Sequence, residues 1–420
     1  MGQKRTLIIT ALLIALSGFT YANGLSLNSV GSRALGMGGA FIGLANDATA
    51  LYWNPAGLAG QRSSVLIFGT DVVPLTTYKM DAAHVDATGI TNHYISPNVI
   101  FNYNFGKLSL ALGAYVPAGL GTEWDGKELL GLTSIDLNGD GVPDMVLGPF
   151  EWMSKIGVMN FSPAVAYKVS DNFSIGLAIN VYYATFELKR PHDDMLDTNG
   201  DNRPDTLPQY EEESTGLGYG ATIGLKYVVN KQLSFGASFR TSTKVTMSGT
   251  AKLTGITESD FDRDVTWPMW VGAGLAFKPN EKMTITLDGQ YSNWSSLDKM
   301  VAEYKDWHSN GEFVMNWESK LQIRTGFEHS VNEAFTYRVG YYYDPAPAPD
   351  ETVNILFPSS TNHVATVGAS FKTGNFCFTG AFEHLFGAER NIKMNAVNAM
   401  PGIHQMDVNA FSLGITYLLK

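Results

Sequence analysis

Beyond residue 60, apolar side chains alternate with small or polar ones in segments of about ten residues, the pattern of half-exposed strands. In one segment Leu108, Leu110 and Leu112 share a face, and Ser109 and Ala111 lie on the other. Further segments of this kind begin at Phe173, Leu233, Met283, Phe335 and Phe376. A chain with this period along most of its length is predicted to be all-β.

The connections between these segments are alternately short and long. The short ones are tight turns at 106–107, 170–172, 230–231, 279–281, 331–333 and 373–375. The long ones are polar stretches at 76–92, 117–156, 189–214, 249–264, 296–315, 345–362 and 387–404. Six short turns and seven long connections imply about fourteen strands. An even number of strands, with short turns on one rim and long loops on the other, is typical of a bacterial outer-membrane barrel.

A sheet that crosses a membrane must close into a barrel, because the bilayer core contains no water to satisfy the hydrogen-bonding groups of an open edge. Every strand then pairs with a neighbour on each side. A soluble β-sandwich is the alternative, but it does not readily repeat short and long connections over so much of a chain. Aromatic residues near the predicted strand ends predict girdles at the membrane interfaces. These are Trp267, Trp270, Trp294, Trp317 and residues 341–343.

The N-terminus has the pattern of a secretory signal peptide. Lys4 and Arg5 precede an apolar run over 7–19, and Thr20 and Ala22 are the small residues of a cleavage site. We therefore predict a signal peptide at 1–22, a separate segment at 23–60 and the barrel at 61–420. An N-terminal anchor helix is the alternative, although the apolar run is short for one.

Charge and motif content exclude two classes of function. The formal net charge of −11 argues against a nucleic-acid partner, because phosphate binding requires clustered cations. No nucleophile elbow, zinc-protease motif or phosphate loop is present, and no two of the eight histidines are three to five residues apart. The chain is therefore not expected to be an enzyme.

The segment 23–60 is rich in glycine and alanine and does not alternate. It contains the runs GSRALGMGGAF (31–41) and ANDATALYWNPAGLA (45–59). Asn46 and Asp47 could cap a short helix over 48–51, which Asn54 and Pro55 would end. Small residues at this density permit close packing, so we expect a compact plug inside the barrel.

These runs resemble the N-terminal signature of the FadL/TodX family of outer-membrane transport proteins for long-chain fatty acids and aromatic hydrocarbons. Asn54, Pro55 and Ala56 match the NPA motif of that family, and residues 115–124 resemble a second, weaker motif. The resemblance implies a fourteen-stranded barrel with an N-terminal hatch. It also implies that the hatch rearranges when an apolar ligand binds from outside, and that the ligand leaves sideways into the outer membrane.

Three cations on predicted strands could meet the carboxylate of such a ligand: Arg240, Arg324 and Arg338. The more ordinary role for charges inside a barrel is to pair with one another. In that case the arginines would bind Asp288, Glu328 or carboxylates of the hatch.

A motif of the form D-x-N-G-D-x-x-P-D occurs twice, in consecutive long connections. Its oxygen ligands, with a backbone carbonyl at position 7, reproduce the start of an EF-hand calcium loop, although neither copy has the glutamate at position 12. We therefore predict structural Ca²⁺ sites, with acidic turns that bind no metal as the alternative. The predicted ligands are Asp136, Asn138, Asp140, Val142 and Asp144 in the first copy, and Asp197, Asn199, Asp201, Arg203 and Asp205 in the second.

The sequence thus predicts passive transport of hydrophobic molecules, above all long-chain fatty acids, across the outer membrane. An accessory barrel for protein secretion or surface attachment is the alternative. The expected partners are outer-membrane lipids, the hydrophobic ligand and the barrel-assembly machinery, and the expected state is a monomer. The chain ends in Leu419 and Lys420, where the family commonly has an aromatic residue, so recognition by that machinery could differ here.

Overall fold

The computed structural model of the chain describes residues 24–27, 29–135, 143–198, 205–393 and 399–419, so the predicted signal peptide at 1–22 lies outside them. Fourteen long antiparallel strands, here β1 to β14, each pair with the next, and β14 pairs with β1 over sixteen residues. The barrel strands are β1 Ser64–Met80, β2 Tyr94–Phe105, β3 Leu108–Trp124, β4 Trp152–Lys168, β5 Phe173–Pro191, β6 Gln209–Val228, β7 Leu233–Arg240, β8 Trp270–Asn280, β9 Met283–Ser292, β10 Lys320–Ser330, β11 Phe335–Asp344, β12 Asn362–Thr373, β13 Phe376–Gly387 and β14 Gly402–Leu418. The prediction of a closed all-β barrel with about fourteen strands is confirmed.

The two faces of the barrel wall differ as the alternation predicted. On β14, Phe411 and Leu413 are exposed on the outer face, whereas Ala410 and Ser412 are buried on the inner face. All six predicted short turns join consecutive barrel strands at one rim. Among the described residues, no helix is long and apolar enough to cross a membrane.

Four further strands extend the sheet beyond the long-loop rim, where the sequence predicted loops at 249–264 and 296–315. These four strands, here called the extension, are Thr243–Leu253, Thr257–Trp267, Lys299–Tyr304 and Gly311–Val314. The first pairs with the upper part of β6, and each of the others pairs with the one before it. The prediction of loops was wrong here because the inner faces of these strands are apolar and buried, as at Ala251 and Phe261.

Smaller elements complete the long-loop end. The remaining short strands are Val85–Thr88, Ser134–Ile135, Met145–Val146 and Arg390–Ile392. Short 3₁₀ helices occur at Asp81–Ala83, Leu130–Thr133, Trp294–Ser296 and Asp350–Thr352. The connection after β11, which was predicted to be a polar loop, folds inward and buries Val353, Ile355 and Phe357. Together with the inner side chains of the extension, these residues form an apolar core that fills the outer mouth.

The prediction of aromatic girdles is wrong for the four tryptophans. Trp267, Trp270, Trp294 and Trp317 are at most 9 % exposed and lie on the inner side of the wall or under loops. Of the nearby tyrosines, Tyr341 is exposed on the outer face, whereas Tyr342 is buried inside. Proximity to a strand end does not decide which face a side chain takes, because that depends on the register of the strand.

Candidate functional site

Residues 29–60, here called the N-terminal segment, fill the barrel interior near the short-turn rim. The segment contains two short α-helices, α1 (Ser32–Gly36) and α2 (Ala50–Trp53), and a 3₁₀ helix (Pro55–Leu58). The predicted helix at 48–51 is therefore displaced by two residues. Asp47 does not cap it directly but accepts hydrogen bonds from the amide and hydroxyl of Thr49, which precedes it.

The Asn54 side chain ties this segment to itself and to the barrel wall. Its Nδ2 donates to the carbonyl of Ile42 (3.1 Å) and to the carbonyl of Leu225 on β6 (2.9 Å). Its Oδ1 accepts from the amide of Ala56 (3.2 Å), which caps the 3₁₀ helix that begins at Pro55. The residue is completely buried, so each of these bonds satisfies a group that water does not reach. The motif thus joins the N-terminal segment to the barrel wall through hydrogen bonds.

Inward-facing glycines form the seat on which this motif rests. A Cβ built on Gly176 of β5 would lie 2.3 Å from the amide nitrogen of Ala56, and one on Gly224 of β6 would lie 2.2 Å from Oδ1 of Asn54. At Gly236 of β7 the distance would be 2.1 Å, to the carbonyl oxygen of Ile42. Three further strands repeat this close approach to the segment, at Gly274, Gly326 and Gly340. We did not predict this seat, although glycines at inward positions of successive strands were a visible signal.

The buried carboxylate of Glu328 forms ion pairs with Arg338, one of the three arginines proposed above to meet a ligand, and with Arg33 of the N-terminal segment. Its Oε2 accepts from Nε of Arg338 (2.6 Å) and from Nε of Arg33 (2.8 Å), and its Oε1 accepts from Nη2 of Arg33 (2.8 Å). Burial alone would lower the pKa of the Arg33 guanidinium, but Glu328 and Asp47 outweigh it and hold that pKa above its ordinary value. The cluster therefore fixes α1 to β10 and β11.

The other two predicted arginines also contact the segment. Arg324 donates to the carbonyl of Gly38 (3.0 Å) and lies over the ring of Tyr342. Arg240 donates to the carbonyl of Tyr52 (2.8 Å) and lies over its ring. Asp288 accepts from the amide of Ile42 (2.8 Å). All three arginines thus hold the plug in place here, and their role toward a ligand carboxylate stays a prediction.

A cavity of about 680 Å³ lies between the segment and the wall formed by β1 to β5 and β11 to β14. Its lining is mainly apolar. The apolar lining residues include Leu35, Val72, Val116, Leu120, Ile156, Leu385, Met406 and Val408. A volume in this range and a lining of this kind are typical of small-molecule sites.

The wall beside this cavity is open between β2 and β3. The two strands pair only from Val99 and Ala114 down to the turn, although β2 continues to Tyr94 beside β1 and β3 continues to Trp124 beside β4. The register of β3 against β4 shifts between Tyr115 and Ala118, where the chain turns away from β2. The cavity lining includes side chains exposed on the outer surface, among them Ile95. The cavity therefore reaches the lipid-facing side of the barrel.

The described residues that flank the two calcium motifs are paired at the long-loop end, Ile135 with Met145 and Leu196 with Thr206. Asp144 is the last residue of the first motif, and its amide donates to the carbonyl of Ile135 (2.9 Å). In the second, Oδ1 of Asp205 accepts from the hydroxyl of Thr198 (2.7 Å), and Asp197 lies beside it in sequence. The other predicted ligands lie outside the described residues: Asp136, Asn138, Asp140, Val142, Asn199, Asp201 and Arg203. Within the part of the chain that is described, no cluster of three or more His, Cys, Asp or Glu side chains could hold a metal ion, so the calcium prediction stays untested.

Comparison with known proteins gives a consistent result. A family model described as "Outer membrane protein transport protein (OMPP1/FadL/TodX)" matches residues 145–418. Outer membrane protein P1 of Haemophilus influenzae is 21 % identical over 93 % of this chain and 91 % of its own length. The long-chain fatty acid transport protein of Salmonella typhi is 20 % identical over 88 % and 89 %. The crystal structure of a Pseudomonas aeruginosa FadL homologue has a TM-score of 0.78 and 14 % identity, and the match covers 95 % of this chain and all of that one.

Proposed function

The chain belongs to the OMPP1/FadL/TodX family of outer-membrane transport proteins, and on that premise we propose that it passes hydrophobic molecules sideways from the barrel interior into the outer membrane. It lies in the bacterial outer membrane and is a transport channel rather than an enzyme. We further propose that residues 23–60 are its hatch and that it works as a monomer.

The observation that carries this proposal is the cavity that opens between β2 and β3. The N-terminal segment fills the barrel below the cavity, so a ligand inside meets the plug in one direction and the wall opening in the other. An apolar molecule is more stable in hydrocarbon than in water, by about 0.8 kcal/mol for each buried CH₂ group. Net transfer of the ligand from the water outside to the hydrocarbon of the membrane is therefore downhill and needs no energy source.

Long-chain fatty acids are the ligands that the sequence predicted, and the Salmonella typhi relative is named for their transport. The family resemblance adds aromatic hydrocarbons as a second class. The volume of about 680 Å³ and the mainly apolar lining of the cavity suit a long alkyl chain, and the opening gives its end a way out into the membrane.

Blocking the opening tests the route. Gly119 of β3 lines the cavity at the opening, and a Cβ there would meet nothing closer than 3.4 Å, so Gly119→Phe adds bulk without a backbone clash. Gly289 of β9 lies on the opposite wall outside the cavity, and Gly289→Phe is the matched control.

Uptake of radiolabelled palmitate and of toluene is measured in cells that lack their own transporter and express each variant. We expect at least a tenfold loss of uptake with G119F and wild-type uptake with G289F. Full uptake of both compounds by a folded G119F protein would show that the ligand does not leave between β2 and β3.

A further inference from the structure

Arg240, the last residue of β7, is a cation inside the barrel that forms no ion pair with any described Asp or Glu. Its Nη2 donates to the carbonyl of Tyr52 (2.8 Å), and its Nε donates to the hydroxyl of Thr222 (3.3 Å). The guanidinium also lies over the rings of Tyr52 and Trp270. All of these partners are neutral. A charge held away from bulk water is costly unless an opposite charge lies beside it.

The other two predicted arginines differ from Arg240 in this respect. Arg338 forms an ion pair with Glu328 (2.6 Å), and Arg324 lies in the electrostatic field of Asp288. Because charges inside a barrel ordinarily pair with one another, the neutral surroundings of Arg240 indicate that its counter-charge comes from outside the protein.

Arg240 lines a narrow cleft between the N-terminal segment and the barrel wall. Ser26, Leu27 and Ala118 line both this cleft and the large cavity, and so stand between the two spaces. The volume of the cleft is about 30 Å³. One water-sized particle needs about 10–15 Å³, so the cleft has room for a small ion but not for an alkyl chain.

The cleft is rich in hydrogen-bond donors. Tyr182 of β5 lines it and is 4 % exposed, and its hydroxyl has no hydrogen-bond partner within the described ranges. Trp267 packs edge-on against the Tyr182 ring, with 6.3 Å between ring centroids, and the Nε1 group of its indole is also without a partner there. Indole and guanidinium N–H groups only donate, and a tyrosine hydroxyl can donate. Arg324 adds a second positive charge to the lining. Donors and positive charge together favour an anion.

We propose that this cleft binds a monatomic anion, chloride under ordinary conditions, with Arg240 as its counter-charge and the Tyr182 hydroxyl as a donor. A water molecule could accept from the same donors, but it would leave the charge of Arg240 unopposed. Tyr52 and Trp53 of α2 also line the cleft, so the ion lies between the plug and the wall and stabilises the seated segment. The site is separate from the cavity of the proposed function and does not depend on the ligand which that cavity takes.

Bromide, a heavier halide, locates the site directly. Crystals of the full chain are grown with sodium bromide, and the anomalous signal of bromide is mapped. We expect a peak in the cleft, within hydrogen-bond reach of the Arg240 guanidinium and the Tyr182 hydroxyl. A cleft without an anomalous peak would show that it holds water only, and would overturn the proposal.

Heat stability measures binding in solution. The midpoint of unfolding of the purified full chain is followed while chloride replaces gluconate, which is too large for the cleft, at constant pH and ionic strength. We expect the midpoint to rise with chloride and to reach saturation, because an ion that binds only the folded state stabilises it. Equal midpoints in chloride and gluconate would contradict the proposal.

Two variants assign the effect to the cleft. Tyr182→Phe removes only the hydroxyl, and about tenfold more chloride should then be needed for the half-maximal effect, because hydrogen bonds to charged groups are the stronger ones. Arg240→Gln removes the charge, so the chloride dependence should disappear. Tyr183→Phe is the matched control, because Tyr183 is the next residue of β5 and is exposed on the outer face.

Equal chloride dependence of Y182F and Y183F would overturn the assignment, and Y182F carries this test alone if R240Q does not fold. Palmitate provides the last comparison. Bromide that stays in the cleft when palmitate is added supports a separate ion site. Displacement of bromide by palmitate would show instead that the cleft takes the carboxylate of the ligand, and would overturn the proposal of a monatomic anion.

Discussion

The fastening of the plug by Asn54 can be tested by removing its side chain. Asn54→Ala deletes three hydrogen bonds, to the carbonyls of Ile42 and Leu225 and to the amide of Ala56. The carbonyl of Leu225 belongs to the barrel sheet, whereas the other two groups lie within the plug and are left bare. A buried polar group left bare costs about 1–3 kcal/mol. Detachment of the segment should therefore become easier by about 3 kcal/mol, which corresponds to about a hundredfold in population.

Cysteine labelling measures this population. Ala50 of α2 is completely buried, and Cys377 is the one natural cysteine, so Ala50→Cys with Cys377→Ser gives a single reporter. A maleimide reacts with this reporter only when the segment leaves its seat, and the rate follows the detached population when closing is fast. We expect N54A to raise the labelling rate about a hundredfold while the barrel stays folded.

The control is Asn46→Ala, at an exposed position of the same segment where Oδ1 accepts one hydrogen bond from Nη1 of Arg33 (2.7 Å). Loss of one such bond costs about 0.5–1.5 kcal/mol, so the labelling rate should rise by no more than about tenfold. A folded N54A protein labelled at the wild-type rate would refute the idea that this side chain fastens the plug. Equal acceleration by N46A would show that any change in the segment loosens it.

Three further predictions concern other parts of the molecule. Glu328→Gln leaves the buried guanidinium of Arg338 without its anion, whereas the partly exposed Arg33 keeps its ion pair with Asp47. Breaking a buried pair costs about 3–5 kcal/mol, so the same reporter should be labelled at least as fast as in N54A. Arg390→Ala removes donations to the carbonyls of Ala348 and Ser359 (both 2.9 Å), so protease added to intact cells should cut the connection at 345–361 faster in this variant than in the wild type. Calcium titration should show two weak sites with Kd ~10⁻⁴ M, each lost on Asp140→Asn or Asp201→Asn, and a flat wild-type titration would reject the metal.

Alternation made the barrel predictable because the inner and outer faces of its strands meet different surroundings. Strands begin at Leu233, Met283, Phe335 and Phe376, as the pattern indicated. Each of these strands follows a short polar turn, so the turn residues and the period-two alternation predict the same strand boundary. The extension was missed because its outer face carries charged side chains, as at Lys252 and Asp260, which the sequence alone does not distinguish from a loop.

The candidate site was predictable only in part. The Asn54-Pro55-Ala56 motif could be recognised from the sequence because its three residues are consecutive, so no knowledge of strand pairing is needed to find it. The polar part of the cavity lining combines Asp344, Asn362 and Glu383, which come from three strands and meet only through the register of β11 to β13. Register depends on where each strand pairs, so neither the grouping of these acceptors nor the wall opening could be predicted from spacing.

The plug and the wall opening are linked through the backbone of β3. Where β3 turns away from β2, residues 25–27 run beside it: the amide of Leu27 donates to the carbonyl of Pro117 (3.0 Å), and the amide of Gly119 donates to the carbonyl of Leu25 (2.9 Å). These bonds satisfy backbone groups of β3 that have no partner on β2, and a buried backbone group left bare costs about 1–3 kcal/mol. Complete removal of the plug would therefore expose those groups as well as the glycine seat. A small shift of residues 29–60 that leaves the bonds of Leu25 and Leu27 intact costs far less, so ligand passage past a plug that stays inside the barrel is the mechanism that this geometry favours.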